Sequence, residues 1–122
     1  MDTILIAEDE PKSRTILSEL LEEWGYEVIP TCNGVEALEK LEEVEVDLII
    51  SDWMMPRLDG TELCKTLKEK ERTQNIPVIM LSTRKSQGDI AKAYDAGIDE
   101  YITKPFVRRD LQTRISKALL RE

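Results

Sequence analysis

Asp52 ends the apolar part of the run DLIISDWMMPRLDG, residues 47–60, and a loop rich in Met, Pro and Gly follows it. Two other apolar runs stop in the same way: ILIA (4–7) at Glu8 and Asp9, and VIML (78–81) at Ser82. A shorter fourth segment stops at Lys104 and Pro105. If these runs are parallel strands, their terminal groups gather at one edge of one sheet. Carboxylates that converge there repel, and at ~4–6 Å one such pair costs about 3–4 kcal/mol in an effective dielectric of about 20. A cation among them offsets that cost. Hard oxygen donors suit Mg²⁺, with Mn²⁺ as a substitute. An aspartate carboxylate can form an acyl phosphate, which makes Asp52 the candidate nucleophile. Lys104 would neutralise charge on the transferring oxygens, and Ser82 would donate a hydrogen bond to one of them. Taken singly, each residue has an ordinary reading as a turn residue, a solvated loop charge or a hydroxyl bonded to backbone. Their joint placement at strand ends carries the chemical reading.

The elements that must position these groups alternate along the chain. Short apolar runs predict strands near 3–8, 26–31, 47–52, 77–82 and 99–103, and helical spacing predicts helices near 12–24, 34–44, 60–71, 86–96 and 107–120. Ile16, Leu17, Leu20, Leu21 and Trp24 are expected on one face of the first helix. Val107, Leu111, Ile115 and Leu119 are expected on one face of the last. Pro11 suits a helix start, Asn33 and Asp59 suit caps, and Gly25 and Gly97 suit left-handed stops. Residues 4–7, 48–50 and 78–81 are apolar throughout, which marks strands buried on both faces. YEVIPT (26–31) alternates and carries Pro30, which belongs on an edge, and DEYIT (99–103) is half polar. Strands 2 and 5 are therefore edges, and short right-handed crossovers then give the order 2-1-3-4-5. Such a sheet opens a crevice at the carboxyl ends of strands 1 and 3, where Glu8, Asp9 and Asp52 stand.

Composition bounds the possibilities. A chain of 122 residues suits one domain, and 41% hydrophobic with 34% charged residues describes a soluble globular protein. No apolar run approaches the ~20 residues of a membrane span, and the start MDTILIAEDE lacks the form of a secretory signal. The net charge of −8 disfavours direct nucleic-acid binding. The absence of histidine excludes His-based catalysis and phosphorylation on histidine within this chain. Cys32 and Cys64 match no zinc or redox spacing and read as reduced thiols in a cytoplasmic protein.

Together EDE (8–10), D-W-M-M-P-x-x-D-G (52–60), V-I-M-L-S-T (78–83), A-G-x-D-E-Y (96–101) and T-K-P-F (103–106) resemble the receiver domain of two-component response regulators, over residues 1–122. The resemblance implies a flavodoxin-like (βα)5 three-layer sandwich. It implies that Asp52 accepts a phosphoryl group from a sensor histidine kinase or histidine phosphotransfer protein. Glu8, Asp9, Asp52 and the Met54 carbonyl would serve the magnesium site, and Lys104 would hold the phosphate. Ser82 and Tyr101 would be the switch pair, and the Lys104–Pro105 bond would be cis. Met54 and Arg84 would flank the phosphoryl group and slow its hydrolysis, giving a long-lived phosphoryl-aspartate. Glu8 stands where Asp is commoner, and Thr83 where Ala is common. Inward rotation of Tyr101 would reshape the face of helix 4, strand 5 and helix 5 for an effector protein or a fused output domain. Pairing of Asp99 or Glu100 with Arg114 or Arg121 across a two-fold axis would make a phosphorylation-dependent homodimer.

The resemblance implies a signalling domain rather than a turnover enzyme. A phosphatase of small substrates would want a second carboxylate at position 54, which is Met. A flavin binder would want a Ser/Thr/Gly-rich loop after the first strand, which here reads EDEPK. A receiver that only binds partners would not need Asp52, Ser82 and Lys104 together.

Overall fold

The computed structural model describes residues 1–120. Five parallel strands, β1 (Thr3–Ala7), β2 (Glu27–Thr31), β3 (Leu48–Ser51), β4 (Val78–Ser82) and β5 (Glu100–Thr103), form one sheet in the order β2-β1-β3-β4-β5. They alternate with helices α1 (Pro11–Glu23), α2 (Gly34–Glu43), α3 (Gly60–Glu69), α4 (Gln87–Asp95) and α5 (Arg108–Leu120). This is the expected flavodoxin-like sandwich. β3 lies at the centre with Ile4 opposite Leu48 on one side and Ile50 opposite Ile79 on the other. β2 is an edge, and its Pro30 is exposed, where the missing N–H costs no ladder bond.

Strand alternation sends neighbouring side chains to opposite faces, which makes two cores. Leu5, Ala7, Ile49, Met80 and Tyr101 pack with Leu41, Leu63 and Leu67 on the face covered by α2, α3 and α4. Ile4, Ile6, Leu48, Ile50, Ile79, Leu81 and Ile102 pack with Leu21, Leu111 and Ile115 on the face covered by α1 and α5. Each such Leu or Ile contributes roughly 1.5–3 kcal/mol by leaving water. These continuous runs hold the middle strands rigid at the ends where Glu8, Asp52 and Ser82 emerge.

Helix starts are set by local bonds. Glu10 accepts from the Ser13 N–H ahead of Pro11, Asn33 accepts from the Glu36 N–H, and Ser86 accepts from the Asp89 N–H. Asp59 and Glu62 form a reciprocal capping box at the start of α3. Gly25 (φ 96°) and Gly97 (φ 109°) terminate α1 and α4 in the left-handed region.

Two expected core positions, Ile16 and Val107, differ, and Trp24 joins its stripe only at the margin. Ile16 is 54% exposed, because it lies at the margin of the stripe that Leu17, Leu20 and Leu21 turn to the sheet. Trp24 is the C-cap of α1, packed at the core's edge and half-buried. Val107 is 69% exposed because it precedes the first residue of α5, so its spacing of four from Leu111 never becomes a helix face. Among the described residues, no helix is long and apolar enough to cross a membrane.

Candidate functional site

Ladder bonds continue past the strand ends and place the site. The Asp52 N–H donates to the Ala7 carbonyl (2.9 Å), which seats Asp52 beside Glu8. The Lys104 N–H donates to the Ser82 carbonyl (2.8 Å), which seats the lysine beside the end of β4. The Lys104–Pro105 bond is cis.

The charged groups meet there. Carboxylate oxygens of Glu8, Asp9 and Asp52 all lie within 4.8 Å of one another. Glu8 is buried, Asp52 partly buried and Asp9 exposed. The Lys104 ammonium bridges two of them, 2.8 Å from Glu8 Oε1 and 3.3 Å from Asp52 Oδ2. Burial works against that ammonium, but the Glu8 hydrogen bond and the Asp52 charge outweigh it, and Lys104 titrates above its ordinary value. Glu8 Oε2 also accepts from the Glu10 N–H, and Asp52 Oδ1 accepts from the Trp53 N–H. Behind the acids, the Arg14 guanidinium donates to the Glu8 carbonyl (2.8 Å).

Among the described residues a single ammonium faces this acidic cluster, and the oxygens at this spacing suit a small divalent cation. The Met54 carbonyl, in the same loop, accepts no hydrogen bond among the described residues. Glu8, Asp9 and Asp52 together are a group that could hold such an ion, with Glu8 also bonded to Lys104.

The loop after Asp52 is tightly formed. Arg57 has φ 73°, and the Leu58 N–H donates to the Pro56 carbonyl (2.8 Å), so Arg57 is the centre of a γ-turn with positive φ. A side chain is strained there. Arg57→Gly is therefore expected to stabilise the fold by about 0.5–1 kcal/mol, glycine's greater unfolded freedom offsetting part of the relief. A higher urea midpoint at unchanged slope would show it.

Ser82 is 1% exposed, and its Oγ accepts from the Arg84 N–H (3.1 Å). Tyr101 lies inward, 8% exposed, with its O–H donating to the Arg84 carbonyl (2.8 Å). Arg84 and Met54 are together: a guanidinium nitrogen is 3.2 Å from the Met54 sulfur. Sequence reasoning missed two members of this group. Trp53 carries the Arg84 guanidinium over its ring, 4.7 Å from the centroid, and Asp89 accepts from it at 3.4 Å. Trp53 also meets the Tyr101 ring edge-on at 6.5 Å. An indole directly after Asp52, ahead of two methionines, was the available signal.

The expected intersubunit pair is used within the chain. Arg114 bonds Glu100 (2.6 Å) and Asp110 (3.1 Å), and the Asp110 hydrogen bond leads in raising its affinity for the proton. Asp99 accepts from the Val78 N–H and lies 3.9 Å from the Lys68 ammonium. Arg121 lies outside the described residues. Both cysteines are free, and burial pushes the Cys64 thiol up to about 11.

Known proteins resemble this chain closely. A family model described as "Response regulator receiver domain" matches residues 4–116. The alkaline phosphatase synthesis transcriptional regulatory protein PhoP of Bacillus subtilis is 41% identical over 97% of this chain and 48% of its own length. The phosphate regulon transcriptional regulatory protein PhoB of Escherichia coli is 38% identical over 97% of this chain and 51% of its own. The chain thus spans about half the length of these curated relatives. A receiver domain of a sensor histidine kinase from Pseudomonas aeruginosa superimposes with TM-score 0.90 at 30% identity, covering 97% of each chain. That structure holds a magnesium ion coordinated in its active-site cleft.

Proposed function

The chain belongs to the response-regulator receiver family, and we propose that within it Asp52 is the phosphoryl acceptor of a signalling switch. The observation that carries this is the Lys104 ammonium lying between the Glu8 and Asp52 carboxylates. It holds a cation beside the nucleophile, where negative charge builds during phosphoryl transfer. An Asp52 oxygen attacks phosphorus of a phosphohistidine on a kinase or histidine phosphotransfer protein. The P–N bond breaks, and the imidazole leaves with its electron pair. The Trp53 N–H holds Asp52 Oδ1 and leaves Oδ2, next to Lys104, as the attacking atom.

Asp9 and Asp52, with the Met54 carbonyl, would hold Mg²⁺, with Mn²⁺ as a substitute. Such an ion supplies charge neutralisation at the phosphoryl oxygens. Ser82 then donates its O–H to the new phosphoryl group while still accepting from Arg84. Through the Arg84 carbonyl this holds Tyr101 inward and sets the α4–β5–α5 face that an effector or a fused output domain reads. Relatives about twice as long support an output domain beyond this chain. The net charge of −8 argues that any DNA contact belongs to that other part. We place the switch in the cytoplasm, in keeping with two unpaired thiols.

The test is incubation with a small phosphodonor such as acetyl phosphate, with and without magnesium. One phosphoryl group per chain is expected with the metal, and none with chelator or in Asp52→Ala. Labelling that persists in Asp52→Ala would refute the assignment.

A further inference from the structure

We infer that Trp53 is a positioning residue for phosphoryl retention, its indole face holding the Arg84 guanidinium beside Met54 on the site's open side. The inference rests on Asp52 being the acceptor. Five contacts converge on Arg84. Its guanidinium lies over the Trp53 ring, bonds Asp89 and touches the Met54 sulfur. Its N–H holds Ser82 Oγ, and its carbonyl holds the Tyr101 O–H. No one of the side-chain contacts is strong. The Asp89 pair is long at 3.4 Å and partly exposed, and thioether sulfur is a weak acceptor. The flat face of a buried aromatic is what fixes the direction of a partly exposed arginine. Trp53 is itself fixed, 6% exposed and braced edge-on by Tyr101.

The consequence is for hydrolysis. In that step water oxygen bonds to phosphorus, the bond from phosphorus to the Asp52 carboxylate breaks, and the proton ends on inorganic phosphate. A guanidinium pinned against Met54 occupies the approach that the water needs. Released from Trp53, it swings into solvent and opens that approach. The same residue that follows the nucleophile in sequence thus governs how long its product lasts.

A purely structural tryptophan would predict something else, and rescue separates the two. Trp53→Leu keeps an apolar side chain without a π-face, and Trp53→Phe keeps the face. Phosphoryl lifetime should fall about 3- to 10-fold in Trp53→Leu, the scale of one cation–π contact, and return in Trp53→Phe. In an Arg84→Gln background Trp53→Leu should have no further effect, because it acts through Arg84. Side-chain proton resonances of Arg84 should be displaced by the ring current in the unsubstituted protein and in Trp53→Phe. They should move to ordinary positions in Trp53→Leu, which also reports whether that variant folds. Equal lifetimes in all folded variants, or additive effects with Arg84→Gln, would overturn the inference while leaving Asp52 as acceptor. No labelling of the unsubstituted protein would overturn both.

Discussion

Lys104→Met should lower the rate of phosphoryl uptake from a small donor by about 10²–10³-fold, the usual cost of removing one preorganised charge-stabilising donor. The variant should also be less stable, for a separate reason. Glu8 is 5% exposed, and Lys104 is the only cationic partner of its carboxylate among the described residues. Stripping the ammonium leaves a buried carboxylate with the Glu10 N–H as its remaining partner. Losing one partner of a fully buried pair costs roughly 3–5 kcal/mol, and the partial exposure of Lys104 brings the expected loss to about 2 kcal/mol.

A second substitution separates the two effects. Glu8→Gln together with Lys104→Met removes the orphaned charge, so the urea midpoint should climb most of the way back. Phosphoryl uptake should stay low. Stability and uptake recovering together would mean that Lys104 serves only to hold Glu8. The pH dependence follows the same logic. Lys104 titrates above its ordinary value in the folded chain. Its contribution is therefore complete below the unfolded lysine range and is lost only as pH rises through the higher folded value. The stability gap between Lys104→Met and the unsubstituted chain should be flat through neutral pH and close only in strong alkali.

Much of this arrangement was legible in the residues, for a physical reason. Continuous apolar runs at 4–7, 48–50 and 78–81 can only be strands buried on both faces, and Pro30 can only stand at an edge. Strand order then follows, and with it the meeting of Glu8, Asp9 and Asp52. What could not be read was orientation around loops. That Arg84 stacks on Trp53 was not legible, because a contact between residues 31 apart is encoded by no local period. Tyr101, expected inward in the activated state, lies inward here, and the Trp53 ring that braces it was not legible in the sequence. Arg114, one of two arginines considered for pairing with a second copy, bonds Glu100 and Asp110 of its own chain, because a helix residue four positions away is within reach. Ile16 and Val107 obeyed helical spacing and still face outward, because spacing locates a stripe but not its width or its first turn.

Two glycines near helix starts show how far the site constrains the fold, since the same substitution should act with opposite signs. Gly60 opens α3, eight residues after Asp52. A Cβ there would stand 2.2 Å from the Asp52 carbonyl oxygen, 2.9 Å from the Met80 methyl and 3.0 Å from Trp53 Cα. Met80 could move, but the two backbone atoms belong to the strand end that carries Asp52. The Gly60 N–H also donates to the Trp53 carbonyl (2.8 Å), so helix and loop cannot simply part. Gly60→Ala should therefore cost several kcal/mol, on the order of 3–5, in the range reserved for severe overpacking. Any folded remainder should take up phosphoryl poorly, because relief of the clash displaces Asp52. Gly88, in the first turn of α4, meets nothing nearer than the Ser86 Oγ at 4.0 Å. There alanine only removes backbone freedom from the unfolded chain, and Gly88→Ala should stabilise by about 0.5–1 kcal/mol. Urea midpoints for the pair test the close approach directly. Comparable stability of the two variants would mean that α3 can retreat from the loop, and that Asp52 is held less firmly than its ladder bond to Ala7 indicates.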